Sequence, residues 1–218
     1  MNEFDASNLP ELPGFESGHT DRPSDARPET LENASHARRA AGREYLQALG
    51  VANAAAHLRA LPKPGVSLHA IVKGNYPLFD TVGAILRIIA PAAIDELWLA
   101  TLGFSMKNAN NLFAMLDDGD VRRVRVLCSC YFRSLSAEIY NPMAAGLEKR
   151  GHEILAMRTH AKIILASTSA GHFITIESSA NLRSCRNVEQ FVLTNDAGLY
   201  EFHRGWMQQL FREKPHAR

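Results

Sequence analysis

The sequence predicts an α/β fold, with a mixed β-sheet sandwiched between helices. Three observations predict it. Short β-branched apolar runs alternate with segments of helical spacing between residues 66 and 158. The apolar runs then cluster after residue 158. A final helical segment, residues 198–213, carries Tyr200, Trp206, Leu210 and Phe211 as core candidates. Elements that each present an apolar face bury it by stacking in layers, and alternation of the two types gives a sheet between helices.

Residues 1–30 are rich in Pro, Ser, Asp and Glu and are expected to be a flexible acidic arm, too polar to offset ordering entropy. Residues 31–65 form the next segment. Their alanine-rich stretch 32–60, with Tyr45, Leu46, Leu49 and Leu58 and no proline, predicts one or two helices broken near Gly50. Pro62-Lys63-Pro64-Gly65 is a turn. Val66–Val72 is a predicted strand, and Leu78–Ala90 a helix stopped by Pro91. Glu96–Leu102 is a strongly apolar strand holding Trp98. A helix over 106–117, a strand over Val121–Ser129 and a helix over 134–150, irregular at Pro142 and ended by Gly151, follow. Ile154–Met157, His160–Leu165, Phe173–Ile176 and Gln190–Thr194 are the remaining predicted strands.

The 218 residues suffice for one domain with a proper core. The net charge of +1 conceals an asymmetry. Residues 1–30 hold seven acids and two bases, so the chain's 23 acids and 24 bases leave residues 31–218 with 16 and 22, a charge of +6. A mildly basic body suits an anionic partner. The three cysteines, Cys128, Cys130 and Cys185, are an odd, low number that predicts reduced thiols and a cytoplasmic location. Cys128 and Cys130 share a face of a predicted strand, but nothing nearby completes a zinc site. The acidic N-terminus does not read as a signal peptide. Arg87 and Asp95 interrupt the most apolar region, so no membrane span is expected.

The chemistry concentrates in residues 159–193. His160 and Lys162 open a β-branched apolar run, Ile163-Ile164-Leu165. On a strand, residues two apart point the same way, so the two side chains are expected side by side, roughly 6–7 Å apart along the backbone. Ser179-Ala180-Asn181-Leu182 follows, then Asn187 and Glu189. A nucleophile, a fixed cation, small polar groups and a carboxylate are what phosphoryl transfer needs.

In these residues the chain resembles the phospholipase D superfamily, whose signature is His-x-Lys with an Asp five residues on, then Gly-Ser-x-Asn and a downstream Glu. His160, Lys162, Ser179, Asn181 and Glu189 match. Ser167 stands where the family has Asp, Ser178 stands where it has Gly, and the gap between the halves is longer than usual. The likeness runs weakly over 66–212 and strongly over 158–193, which makes residues 66–218 a phospholipase D-like domain.

The resemblance implies a site built from two His-x-Lys motifs, and this chain holds one. A homodimer with the site on its two-fold axis is therefore expected. One His160 would attack phosphorus and its symmetry mate would act as acid and then base. Lys162 and Asn181 would hold the phosphate oxygens, so no metal or other cofactor is required. Ser179 would bind phosphate or support the loop, and Glu189 would accept the Nδ1 proton of His160. Arg183 and Arg186 flank Asn181 and are candidates for tracking a nucleic-acid backbone, with Arg122, Arg123 and Arg125 as a second basic group. The expected activity is a metal-independent endonuclease. The alternatives are a decayed module that binds nucleic acid or recruits a partner, and a phospholipid hydrolase or phosphatidyl transferase.

Overall fold

The computed structural model describes residues 36–40, 43–49, 58, 60–73, 77–183 and 187–213. They lie within one unit, Glu32–Arg218. The chain order is β1 (His36–Ala40), β2 (Arg43–Leu49), β3 (Val66–Lys73), α1 (Asp80–Ile89), β4 (Ile94–Thr101), α2 (Met106–Asp117), β5 (Val124–Ser129), α3 (Cys130–Leu135), α4 (Ala137–Lys149), β6 (Glu153–Met157), β7 (Ile163–Thr168), β8 (Phe173–Ser178), β9 (Val188–Asn195) and α5 (Ala197–Glu213). The strands make one nine-stranded sheet in the order β1-β2-β3-β9-β8-β7-β4-β5-β6. Pairs β2/β3, β4/β5 and β5/β6 are parallel, and the other neighbouring pairs are antiparallel. The predicted mixed sheet between helical layers is the observed architecture.

Period-two alternation divides the core between the two faces. Leu97 and Leu99 of β4, Val124 and Val126 of β5, and Ile164 and Ala166 of β7 pack with Val82, Ile85, Leu112, Phe132 and Leu147 of the helices α1 to α4. Trp98, Ala100, Leu127, Ile163 and Leu165 point the other way, onto Tyr200, Met207 and Phe211 of α5. The apolar runs of β4 and β7 are continuous because both faces are covered. Helix α5 is further tied to β8 by His203 Nε2, 3.4 Å from Glu177 Oε1.

Helix boundaries follow local chemistry. Ser105 caps α2 by accepting from the Asn108 N–H at 3.2 Å, while the Asn108 side chain accepts from the Ser105 N–H at 3.0 Å. Gly151, at φ 74°, ends α4 by turning into the left-handed region that glycine enters without penalty.

Three expectations are corrected. Residues 36–40 and 43–49 are strands, not helix. Helix propensity is a weak preference, and here the parallel ladder from Arg43–Leu49 to Ser67–Lys73 outweighs it. The expected arm, residues 1–30, lies outside the described residues. The irregularity near Pro142 falls instead at Ser136, which separates α3 from α4, while α4 runs through Pro142. Cys128 and Cys130 do not share a strand, because β5 ends at Ser129 and Cys130 opens α3. Among the described residues no helix is long and apolar enough to cross a membrane.

Candidate active site

The register brings distant stretches to one end of the sheet. Ile163, the first residue of β7, pairs with Ala100 near the end of β4 and with Glu177 near the end of β8. Ser178 pairs with Phe191, Val188 with Lys73, and Thr101 with Cys128. The residues before β7, the β8–β9 loop, the start of β9 and the carboxyl ends of β4 and β5 are thus neighbours. Clefts at such strand ends are where open α/β sheets bind ligands.

His160 and Lys162 occupy this end, but they precede β7 rather than lie on it. Lys162 is the junction residue, and its carbonyl accepts from the Ser178 N–H at 3.0 Å. Its Nζ lies 3.0 Å from His160 Nδ1 and donates to the His160 carbonyl at 3.1 Å. An ammonium has only donors, so a neutral His160 imidazole in this geometry carries its proton on Nε2. That differs from the expected arrangement, in which Nδ1 holds the proton for Glu189. Burial lowers the Lys162 pKa below the ordinary lysine value, and the charge of Glu189 partly restores it.

The loop after β8 is fixed by what flanks Asn181. Ala180 and Leu182 are buried in the core, 1% and 2% exposed, which turns Asn181 between them away from it. Asn181 Oδ1 accepts from the Leu102 N–H at 3.2 Å, leaving its amide NH₂ as the outward donor. The Leu182 N–H donates to Thr101 Oγ1 at 3.4 Å, and its carbonyl accepts from Phe79 N–H at 3.3 Å. Thr101 and Leu102 are therefore site supports that motif reading missed. Their signal was a polar residue and a glycine ending the most apolar strand.

Ser179 Oγ donates to Glu189 Oε2 and accepts from the Gln190 N–H at 3.0 Å. Of its two expected roles, its hydroxyl serves the loop here and orients the carboxylate. Ser178 uses its side chain in the same hairpin, donating to the Gln190 carbonyl at 2.7 Å and accepting from the Ala180 N–H at 2.9 Å. The serine that stands in place of the expected glycine thus ties the turn through its own side chain.

No protein-family model matches the chain, and no curated protein matches it. Among solved structures it is similar to Nuc from Salmonella typhimurium, a phospholipase D family member. The two are 16% identical with a TM-score of 0.50, over 70% of this chain and 99% of that one. The fold is phospholipase D-like. A second similar structure is TrmBL2, an archaeal chromatin protein, at 14% identity and a TM-score of 0.44, over 66% of this chain and 52% of the other.

Within this phospholipase D-like fold, Ser167 lies in β7 opposite Glu96 of β4. It stands close to the Tyr200 hydroxyl, which is buried and makes no hydrogen bond of ordinary geometry among the described residues. Ser167 is therefore under the α5 layer, four residues into the sheet from the His160 end. Arg183 is exposed on the Asn181 loop, whereas Arg186 lies outside the described residues. The second basic group does not join the site. Arg122 pairs with Asp95 at 2.6 Å, Arg123 with Glu96 at 3.2 Å and Arg125 with Glu153 at 2.9 Å. Arg122 and Arg123 sit at the opposite end of β5, and Arg125 stacks 4.7 Å from the Trp98 ring centroid. No group of three His, Cys, Asp or Glu side chains arranged for a metal occurs among the described residues.

Proposed function

We propose that this chain is a phosphodiesterase that hydrolyses nucleic-acid phosphodiester bonds through a phosphohistidine, in a site shared by two copies. The observation that carries the reading is the Lys162 ammonium held 3.0 Å from the His160 imidazole at the sheet end that also holds Asn181 and Glu189. A lysine drawn out of water beside an exposed histidine gains little for stability. It is well placed to meet a phosphate oxygen.

An incoming phosphate draws Lys162 Nζ to its non-bridging oxygens, freeing His160 Nδ1 to carry the ring's one proton and to donate it in a hydrogen bond to Glu189. The lone pair then lies on Nε2, which attacks phosphorus. As the N–P bond forms, the bond to the leaving oxygen breaks and that oxygen takes a proton from the partner's His160. Water next attacks phosphorus, losing its proton to the same imidazole, and the N–P bond breaks. The amide NH₂ of Asn181 and the two lysines hold the charge that builds on the equatorial oxygens. The two ammonium groups supply the electrostatic role that a metal ion plays in other phosphodiesterases.

The test is incubation of purified protein with DNA, RNA and a chromogenic phosphodiester in EDTA, beside His160→Ala. Cleavage that survives EDTA and vanishes in the variant is expected, with an acid-labile phosphoprotein trapped on quenching. Activity abolished by EDTA, or retained by His160→Ala, overturns the reading.

A further inference from the structure

We propose that the cleft beside Asn181 is a nucleobase subsite, and that the strand this protein works on is therefore single-stranded. The inference rests on the nucleic-acid reading of the site and names its substrate class. The cleft has a volume of about 200 Å³. Leu102 and Gly103 form one side, Tyr131, Phe132 and Leu135 of α3 the other, and Arg183 the rim.

The cleft is continuous with the phosphate end. Leu102 both lines it and holds Asn181 through its N–H. Strands β7, β4 and β5 are adjacent, so the cleft between the ends of β4 and β5 lies about one to two strand spacings of ~4.8 Å from Lys162. That separation matches the reach from a phosphate to the base of the same nucleotide.

Its floor is fixed. A Cβ on Gly103 would come within 2.5 Å of the Phe132 ring, which in turn packs 4.6 Å from the Phe104 ring. Glycine at 103 is what lets that ring close the bottom. The wall, by contrast, is left open. Tyr131 is 63% exposed and Leu135 81%, so two of the exposed large apolar side chains of the described residues fall on one six-residue helix.

An exposed aromatic ring beside a phosphate site, with a guanidinium at the rim, is the chemistry that stacks a base and pairs the next phosphate. A base inside a duplex presents only its edges, so a side cleft of this kind takes a base without an unpairing and unstacking cost only from an unpaired strand. The apolar wall is one short helix and the exposed Arg183 also lines the cleft, which favours a base over a lipid chain.

The test uses anisotropy and cleavage with three probes of equal length: a single strand, the same strand made abasic, and a blunt duplex. Binding is measured with His160→Ala so that turnover does not enter. The single strand is expected to bind best. Tyr131→Ala weakens it about tenfold while changing the abasic strand less than about twofold, and Tyr131→Phe restores it. Equal loss on base-bearing and abasic strands, tighter duplex binding, or a Tyr131→Ala defect seen only on phosphatidylglycerol vesicles overturns the subsite. Base-dependent binding through Tyr131 without any cleavage upholds the subsite and removes the hydrolytic reading. Cleavage that needs His160 but ignores Tyr131 does the reverse.

Discussion

At the scale of single residues, Lys162 and Ser167 each place a charge question where stability can be measured. Burial lowers the Lys162 pKa, so the folded chain binds fewer protons than the unfolded chain between that lowered value and the ordinary 10.5. Stability contributed at this group therefore rises with pH through that window, and at neutral pH the charged lysine is a cost to the fold. Lys162→Met is expected to abolish phosphodiester cleavage while leaving the protein at least as stable. Urea denaturation at pH 7 and near pH 10 checks both the sign and the loss of the pH-dependent rise. Ser167 faces Glu96 across an antiparallel pair, and Glu96 already accepts from Trp98 Nε1 at 3.5 Å and pairs with Arg123. A second carboxylate directly opposite the first is repelled. Ser167→Asp should be less stable than Ser167→Asn by roughly 0.5–1 kcal/mol, since the two differ mainly in charge. The motif residues were legible in the sequence because their order carries the resemblance. The contact that sets the His160 tautomer was not, since it depends on where a flexible lysine side chain comes to rest.

At the scale of elements, α5 is, among the described residues, the helix that covers the second face of the sheet. Trp98 sits under it, 1% exposed, with the Phe211 ring edge-on at 5.9 Å and the Arg125 guanidinium on its flank. Trp98→Ala should cost about 3–5 kcal/mol, read as a lowered urea midpoint, because the surrounding strands cannot collapse into the space. Most elements were legible from periodicity. The failures have physical causes. The break at Ser136 has no proline or glycine to mark it, and its backbone leaves the helical region at φ −136°, ψ 45°. Strands β1 and β2 read as helix because alanine and leucine favour helix in isolation, whereas pairing to β3 is a contact with residues 67–73 that no local window contains.

At the scale of the whole molecule, one His-x-Lys per chain makes the proposed site an assembly property. If two copies share it, a dimer with one intact His160 is inactive. Refolding equal amounts of wild type and His160→Ala together should give about a quarter of the activity of the same total amount of wild type, rather than about half. Activity that falls only to a half, from mixtures shown to exchange subunits, would overturn the shared site. By itself the sequence determined the α/β class, the family resemblance and the residues His160, Lys162, Ser179, Asn181 and Glu189, because periodicity and motif order are local properties of a chain. Only the tertiary structure decided that Thr101 and Leu102 hold the Asn181 loop and that Arg122, Arg123 and Arg125 serve ion pairs elsewhere. It alone placed Tyr131 and Arg183 on one cleft beside Asn181. Those relations join residues 27 to 81 positions apart through strand register, and register is fixed by the packing of both sheet faces at once.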